Sequence, residues 1–144
     1  MSDVSITAAN VLAGSNAKKA TGTAGATITA GQVVYADGSD SGKFKLADAN
    51  ASAATANPVG VALHGAASGQ PLTIVIEDDD FTPGGTLSLS AAADDGVYVL
   101  SGTAGGIAPV GDLASGWYPV ILGVAKSASK MNLKIVRGTA ALTA

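Results

Sequence analysis

The chain has 144 residues, no cysteine, one histidine (His64) and a net charge of −3 at neutral pH. These counts exclude a disulfide framework, a thiolate metal ligand and a two-histidine metal site within one chain. The eight basic residues are scattered, which argues against nucleic acid as the main partner because phosphate binding needs clustered Lys and Arg.

The amino-acid composition indicates an all-β protein. Alanine makes up a fifth of the chain, but the alanines are interleaved with Gly, Thr, Ser and Val, which disfavour helices. Charged residues account for only 13% and mean hydropathy is +0.36, unlike a disordered chain. So few charges suggest that part of the surface is covered in an oligomer.

Residues 1–26 are rich in Ala, Gly and Thr and are predicted to form an extended N-terminal arm. Residues 5–12 alternate enough for one strand, and residues 14–19 have the composition of a turn. We expect the arm to be loosely packed unless a neighbour holds it. The segment lacks the basic and apolar regions of a secretory signal, and no stretch is long enough to span a membrane, so we expect a cytoplasmic product with no membrane partner.

Residues 27–144 are predicted to form one β domain, a compact barrel or sandwich, because strand-like runs recur every 10–14 residues with turns between them. The acidic run 77–80 is predicted to end one strand, and Leu87 and Leu89 are predicted to share one face of a short strand. The predicted strands are 31–35, 43–46, 58–63, 72–76, a short one at 87–89, 96–100, 118–125 and 131–136.

An internal repeat is the most informative pattern in the chain. Tyr35 and Tyr98, Gly42 and Gly105, and the Gly-Val-Ala triplets that begin at Gly60 and Gly123 are each 63 residues apart. The closing runs 72–75 and 133–136 match at an offset of 61, as if one loop were two residues shorter. The sequence therefore predicts two similar β-units, at about residues 27–80 and 90–138.

No residue pattern indicates catalysis, so we expect a non-enzyme without metal, cofactor or small-molecule substrate. The acidic run 77–80 lacks the spacing of a calcium loop, and Asp94-Asp95 lacks an apolar pocket and a third group. His64 has no nucleophile motif nearby. The glycine-rich stretches 22–25 and 102–106 lack the phosphate-loop pattern, so we interpret them as turns. Trp117 and Tyr118 are predicted as core anchors or, if exposed, as partner-interface candidates.

Several motifs resemble the capsid cement, or head decoration, proteins of tailed bacteriophages. The resemblance covers about residues 20–137. It lies in the runs AGQVVYAD (30–37), PVGVAL (58–63), GAASGQP (65–71), GTAGGIAP (102–109), SGW (115–117) and VILGVA (120–125). Part of this pattern also occurs in phage fibre proteins.

The resemblance implies a virion structural protein on the outer capsid surface, assembled in the host cytoplasm. Such a protein would bind the major capsid protein as a homotrimer and stabilise the expanded shell. We expect the arm to make the capsid contacts, with the candidates Val4, Ile6, Val11, Leu12, Lys18 and Lys19. The alternatives are a head-fibre or tail-associated structural protein and a carbohydrate-binding module.

Overall fold

The computed structural model describes residues 3–89, 96–138 and 140–143. Within these residues the protein is all-β, as predicted, and one antiparallel sheet curls into a half-barrel. Its nine strands are β1 (Lys18–Thr23), β2 (Val33–Asp37), β3 (Lys43–Leu46), β4 (Pro58–Ala62), β5 (Pro71–Phe81), β6 (Val97–Leu100), β7 (Ile107–Pro109), β8 (Val120–Ala125) and β9 (Met131–Arg137).

The long strand β5 connects the two halves of the sheet, whose order is β3-β2-β4-β5-β9-β8-β6-β7. Ile74 and Val75, in its first half, pair with β1 on one edge and β4 on the other. Its second half, from Glu77 to Phe81, pairs with β9. One strand therefore ends the first half of the fold and begins the second.

The strand pairing repeats in the two halves. Strand β2 pairs with β3 and β4, and β4 pairs with β5; β6 likewise pairs with β7 and β8, and β8 pairs with β9. Gly60 and Gly123 occupy the same position beside a β-bulge in the two copies. Gly42 and Gly105 both have positive φ, +75° and +78°, which glycine adopts without strain. We name residues 18–76 the first unit and residues 77–137 the second unit.

The register of the last strands differs from the sequence match at offset 61. Val61 pairs with Val75, whereas Val124, its equivalent, pairs with Asn132. Val75 and Asn132 are therefore equivalent, and a Cβ on Gly60 or Gly123 would meet the carbonyl oxygen of the respective residue. The β8–β9 hairpin is shorter than the β4–β5 hairpin by six residues rather than two. The shift between the two alignments is an even number of residues, so both alignments assign each residue to the same face of its strand.

Strand β1 corrects the interpretation of residues 1–26 as a loosely packed arm. Residues 18–23 pair along β5, and Gly25 N–H donates to Phe44 O at 2.7 Å next to a parallel bridge between Ala24 and Phe44. The strand order of the first unit is β3-β2-β4-β5-β1. This contact places the residues that follow β1 beside β3, so the two ends of the order meet. The repeat thus begins near residue 18, which local composition did not indicate because β1 is rich in Lys, Gly and Thr.

Three local predictions were wrong. The acidic run 77–80 does not end a strand but lies inside β5, where cationic side chains of the β8–β9 hairpin pair with it. Residues 87–89 are not a strand: Leu87 is buried and Leu89 is exposed. Residues 5–12 form a 3₁₀ turn at Ala8–Asn10 and one bridge at Leu12 rather than a strand.

The described residues form two buried hydrophobic clusters. The smaller cluster lies within the first unit and includes Val34, Phe44 and Ile74. The larger cluster packs Val33, Val61 and Val75, from the opposite face of the first unit, together with residues of the second unit such as Leu122 and Leu133. Cross-strand partners lie on the same face of a sheet, so the pairing of Val33 with Val61 and of Val61 with Val75 places all three valines on one face. The first unit therefore buries both faces of its sheet.

Candidate interaction surfaces

Residues 3–12, which we name the N-terminal segment, lie against the second unit. Val4 N–H donates to Ile107 O at 2.8 Å and Thr7 N–H donates to Gly84 O at 2.8 Å. Leu12 and Thr82 exchange two backbone hydrogen bonds of 3.0 and 2.9 Å. The N-terminal segment thus spans from the end of β5 to β7.

Four glycines line the path of the N-terminal segment, and we name this path the channel. A Cβ on Gly85 would lie 2.5 Å from Ser5 O, and a Cβ on Gly84 would lie 2.7 Å from Thr7 O. A Cβ on Gly31 would lie 2.5 Å from the Ile6 side chain, and a Cβ on Gly106 would lie 2.5 Å from the Asp3 carboxylate. A larger residue at Gly84 or Gly85 would displace the backbone of the segment, whereas one at Gly31 or Gly106 would require the Ile6 or Asp3 side chain to move.

The structure places the six predicted capsid-binding residues in different environments. Val11 is only 7% exposed and belongs to the core, which contradicts its prediction as a partner contact. Val4 and Ile6 are half-buried and pack against the same core. Leu12 is 62% exposed, and Lys18 and Lys19 are exposed, so only these three present side chains to a partner. Val4, Ile6 and Val11 are wholly or partly covered because they pack against the core along the channel, which the sequence did not show.

The buried carboxylate of Asp78 anchors the turn after the N-terminal segment. It accepts hydrogen bonds from Gly14 N–H at 2.6 Å and Asp80 N–H at 3.0 Å. Asn16 approaches Asp79 at 3.5 Å, and Lys18 lies 3.9 Å from Glu77. The acidic run is therefore a structural anchor within β5.

An exposed apolar patch lies on the outer face of β8 and β9, and we name it the outer patch. Ile121 and Val136 are cross-strand partners, and Val124 lies on the same face. They are 40%, 55% and 50% exposed, respectively. Val61, the equivalent of Val124 in the first unit, is fully buried. The face that the first unit buries against the second is therefore equivalent to the face that the second unit exposes to solvent. We name this arrangement front-to-back packing.

Trp117 and Tyr118 are half-buried and pack against the core, as predicted for anchors. Tyr118 N–H donates to Ala49 O at 2.8 Å, and the Trp117 indole lies against Gly102, where a Cβ would meet it at 2.6 Å. Trp117 also lines an open groove. The groove also contains Asp3, Ser101, Thr103, Gly111 and Asp112.

The remaining candidates have structural environments. The His64 side chain is exposed; its Nε2 accepts from Thr73 N–H at 3.0 Å and its Nδ1 lies 2.9 Å from Gly65 O, so the ring bridges the β4–β5 hairpin. Asp94 and Asp95 lie outside the described residues. Gly105, in the predicted glycine-rich turn, lies between β6 and β7, and its N–H donates to Ala47 O at 2.7 Å.

Two ion-pair networks tie strands together. Lys45 Nζ lies 2.7 Å from Asp37 Oδ2, and this hydrogen bond, with those from Ser39, lowers the pKa of Asp37 to about 2. The Asp37 and Asp40 carboxylates in turn raise the pKa of Lys45. Hydrogen bonds from Lys130 and then Lys126 lower the pKa of Asp80. The second network joins the acidic run to the β8–β9 hairpin.

No group of three His, Asp or Glu side chains within the described ranges is arranged to hold a metal ion. In the same residues, no helix has the length and hydropathy to cross a membrane. Neither a family model nor a curated protein matches the chain.

Proposed function

We propose that the chain is a virion structural protein, a capsid cement protein that binds the outer surface of a tailed-phage head as a homotrimer. The proposal depends on the resemblance of motifs over residues 20–137 to those of cement proteins. These motifs fall on the turns and strands of the two units, including the Gly105 turn and the bulge glycines Gly60 and Gly123.

The outer patch is the structural observation that best supports this role. Exposed apolar side chains on adjacent strands are a typical contact surface for another protein. The equivalent face of the first unit is buried within this chain, whereas the outer patch of the second unit has no such cover among the described residues. We therefore assign the outer patch to contact with the major capsid protein, together with the exposed Leu12, Lys18 and Lys19.

The physical effect of such a protein is stabilisation by binding. A ligand that binds only the expanded shell shifts the equilibrium toward that shell, by an amount set by its concentration relative to its dissociation constant. Three identical contacts from one trimer raise the combined affinity above that of each contact. Both effects require only a rigid scaffold and a repeated surface, so no catalytic residue is involved.

Co-sedimentation with expanded and unexpanded heads of the phage that encodes the chain tests the proposal. We expect binding to expanded heads, weakened about tenfold or more when Ile121, Val124 and Val136 are all replaced by threonine, since loss of about 1.4 kcal/mol has this effect. Leu89→Thr, at an exposed apolar residue outside the outer patch, is the control and should bind normally. Absence of binding by the unmodified chain would contradict the proposal.

Two other functions remain as alternatives. A head-fibre or tail-associated protein would label a different part of the particle, which negative-stain microscopy of bound protein distinguishes. A carbohydrate-binding module is favoured by the groove beside Trp117, where carboxylate and hydroxyl groups adjoin an aromatic ring. Glycan binding that is lost in Trp117→Ala would support that alternative.

A further inference from the structure

The hairpin that joins β4 to β5 is held by a histidine side chain as well as by backbone hydrogen bonds. Leu63 N–H donates to Thr73 O at 3.0 Å. In a regular antiparallel ladder, such a pair exchanges two bonds, so Thr73 N–H would donate to Leu63 O in return. It donates instead to His64 Nε2, at 3.0 Å. One hydrogen bond of the hairpin therefore depends on an imidazole ring.

The two partners of the imidazole determine which of its nitrogens carries the proton. Thr73 N–H can only donate, so the Nε2 atom of His64 must be unprotonated. The carbonyl oxygen of Gly65, 2.9 Å from Nδ1, can only accept, so Nδ1 must carry the hydrogen. Both bonds exist together only in the neutral form of the ring. A second proton, on Nε2, would point at another N–H group and break the bond to Thr73.

The loop of residues 64–70 holds the segment that closes the first unit. Ala24 N–H donates to Gln70 O at 2.8 Å, and Ala66 and Ile28 exchange two backbone hydrogen bonds of 2.9 Å. The segment that begins at Ala24 is the one that reaches β3. The histidine thus lies at the base of a loop that supports the closure of the first unit.

The elements around His64 contain few other charged residues. Strand β4, the loop and the first half of β5 have no other titratable residue, and neither do residues 24–29. Strand β1, which pairs with β5, supplies Lys18 and Lys19, and Lys18 lies 3.9 Å from Glu77. Histidine is the side chain whose charge ordinarily changes between pH 5 and 8. A change in this hairpin over that range therefore reports on the imidazole.

We propose that His64 is a pH-sensitive latch on the loop of residues 64–70. The neutral ring holds the base of the loop to β5, and protonation releases Thr73 N–H and loosens the first unit. The stabilisation is present where the ring is neutral and is lost as the pH falls and the ring becomes charged. This inference goes beyond the proposed function because it concerns how the fold responds to pH. Its test uses no capsid, so its failure is distinguishable from failure of capsid binding.

The second unit supplies an internal control. Its equivalent hairpin bond runs from Lys126 N–H to Lys130 O at 2.8 Å, and Ser127 has the position of His64. Serine does not titrate. Hydrogen bonds from Lys130 and then Lys126 lower the pKa of Asp80, so this carboxylate stays ionised between pH 8 and 5. We therefore expect the second hairpin to be insensitive to pH in this range.

Amide hydrogen exchange of the full-length chain tests the latch. Between pH 8 and 5, the protection factor of the Thr73 amide, corrected for the intrinsic exchange rate, should fall about two- to tenfold, as for loss of one hydrogen bond. The protection factor of the Lys126 amide should stay constant. His64→Gln keeps a neutral acceptor and should remove the pH dependence, whereas His64→Ala should lower Thr73 protection at both pH values.

A second measurement needs no substitution. Long-range nitrogen–proton correlation spectra of the wild-type chain at pH 8 should show the Nδ1–H form of the single histidine. An Nε2–H form would overturn the proposal. Thr73 protection that does not change between pH 8 and 5, or that changes equally in His64→Gln, would also overturn it.

Discussion

At the scale of single residues, Gly60 and Gly123 show how tightly the repeat constrains sequence. A Cβ at either position would collide with a carbonyl oxygen of the adjacent strand. We expect Gly60→Ala and Gly123→Ala each to lower the free energy of unfolding by about 1–3 kcal/mol or more, as overpacking does. Urea denaturation measures this change. Gly38→Ala is the control, because a Cβ there meets nothing within 4 Å, and it should be nearly neutral.

The Asp37–Lys45 pair makes a pH-dependent contribution to stability. The pKa of Asp37 is lowered to about 2 in the folded protein, from 3.8. The pair therefore stabilises the folded state fully above pH 3.8, and this stabilisation is lost as the pH falls through about 2. We expect Lys45→Met to unfold more easily than wild type at pH 7, with the difference shrinking between pH 4 and 2. Thermal unfolding across this range measures it.

Asp37→Asn provides the control for that pair. With this carboxylate removed, Lys45 keeps only its ion pair with Asp40 at 3.2 Å, so adding Lys45→Met should change the pH dependence of stability between 4 and 2 less than it does in the wild-type background. A pH dependence of the Lys45→Met effect that is equally large in the Asp37→Asn background would contradict the assignment to the Asp37–Lys45 pair.

At the scale of elements, the N-terminal segment depends on β5 through Asp78. Removing its buried carboxylate leaves Gly14 N–H without its partner, which costs about 1.5–3 kcal/mol for a bond to a charged group. We expect Asp78→Ala to increase hydrogen exchange at Val4, Thr7 and Leu12 amides more than at the amides of β8. Asp79→Ala, at an exposed neighbour, should leave the exchange at these amides unchanged; equal effects of the two variants would contradict the anchor role.

Strand β5 shows why elements could be predicted only in part. Its first half was predicted from β-branched alternation, but the four acids that follow have low strand propensity. They remain in the strand because β9 pairs with them and because Lys126 and Lys130 bind Asp80. Those partners lie about fifty residues away, so no local window contains the signal.

At the scale of the whole molecule, equivalent positions in the two units differ in burial. Val61→Ala removes two methyl groups from a fully buried site and should cost about 2 kcal/mol. Val124→Ala, at the half-exposed equivalent, should change stability by no more than about 0.5 kcal/mol. Chemical denaturation of both variants measures the difference, and equal costs would contradict the front-to-back packing.

The candidate surfaces were predicted unevenly. The sequence left Trp117 and Tyr118 as core anchors or partner-interface candidates, and the structure shows both half-buried against the core. The sequence also placed Val11 among partner contacts, whereas the structure buries it in the core. The sequence did not indicate the outer patch because the apolar residues of β8 follow the same pattern as those of β4, its equivalent, where Val61 is buried. The repeat could not have revealed it, because two equivalent faces can cover each other when the units pack face to face, and only the structure shows that these units do not.

The sequence by itself determined the all-β class, the positions of most strands and the existence of two similar units. These features follow from local alternation and from glycines at turns and bulges, which act over a few residues. Only the tertiary structure decided that β1 joins the first unit, that the N-terminal segment completes the second, and which of two equivalent valines is exposed. Each of these depends on free-energy differences between contacts of residues far apart in the chain, which no local pattern encodes.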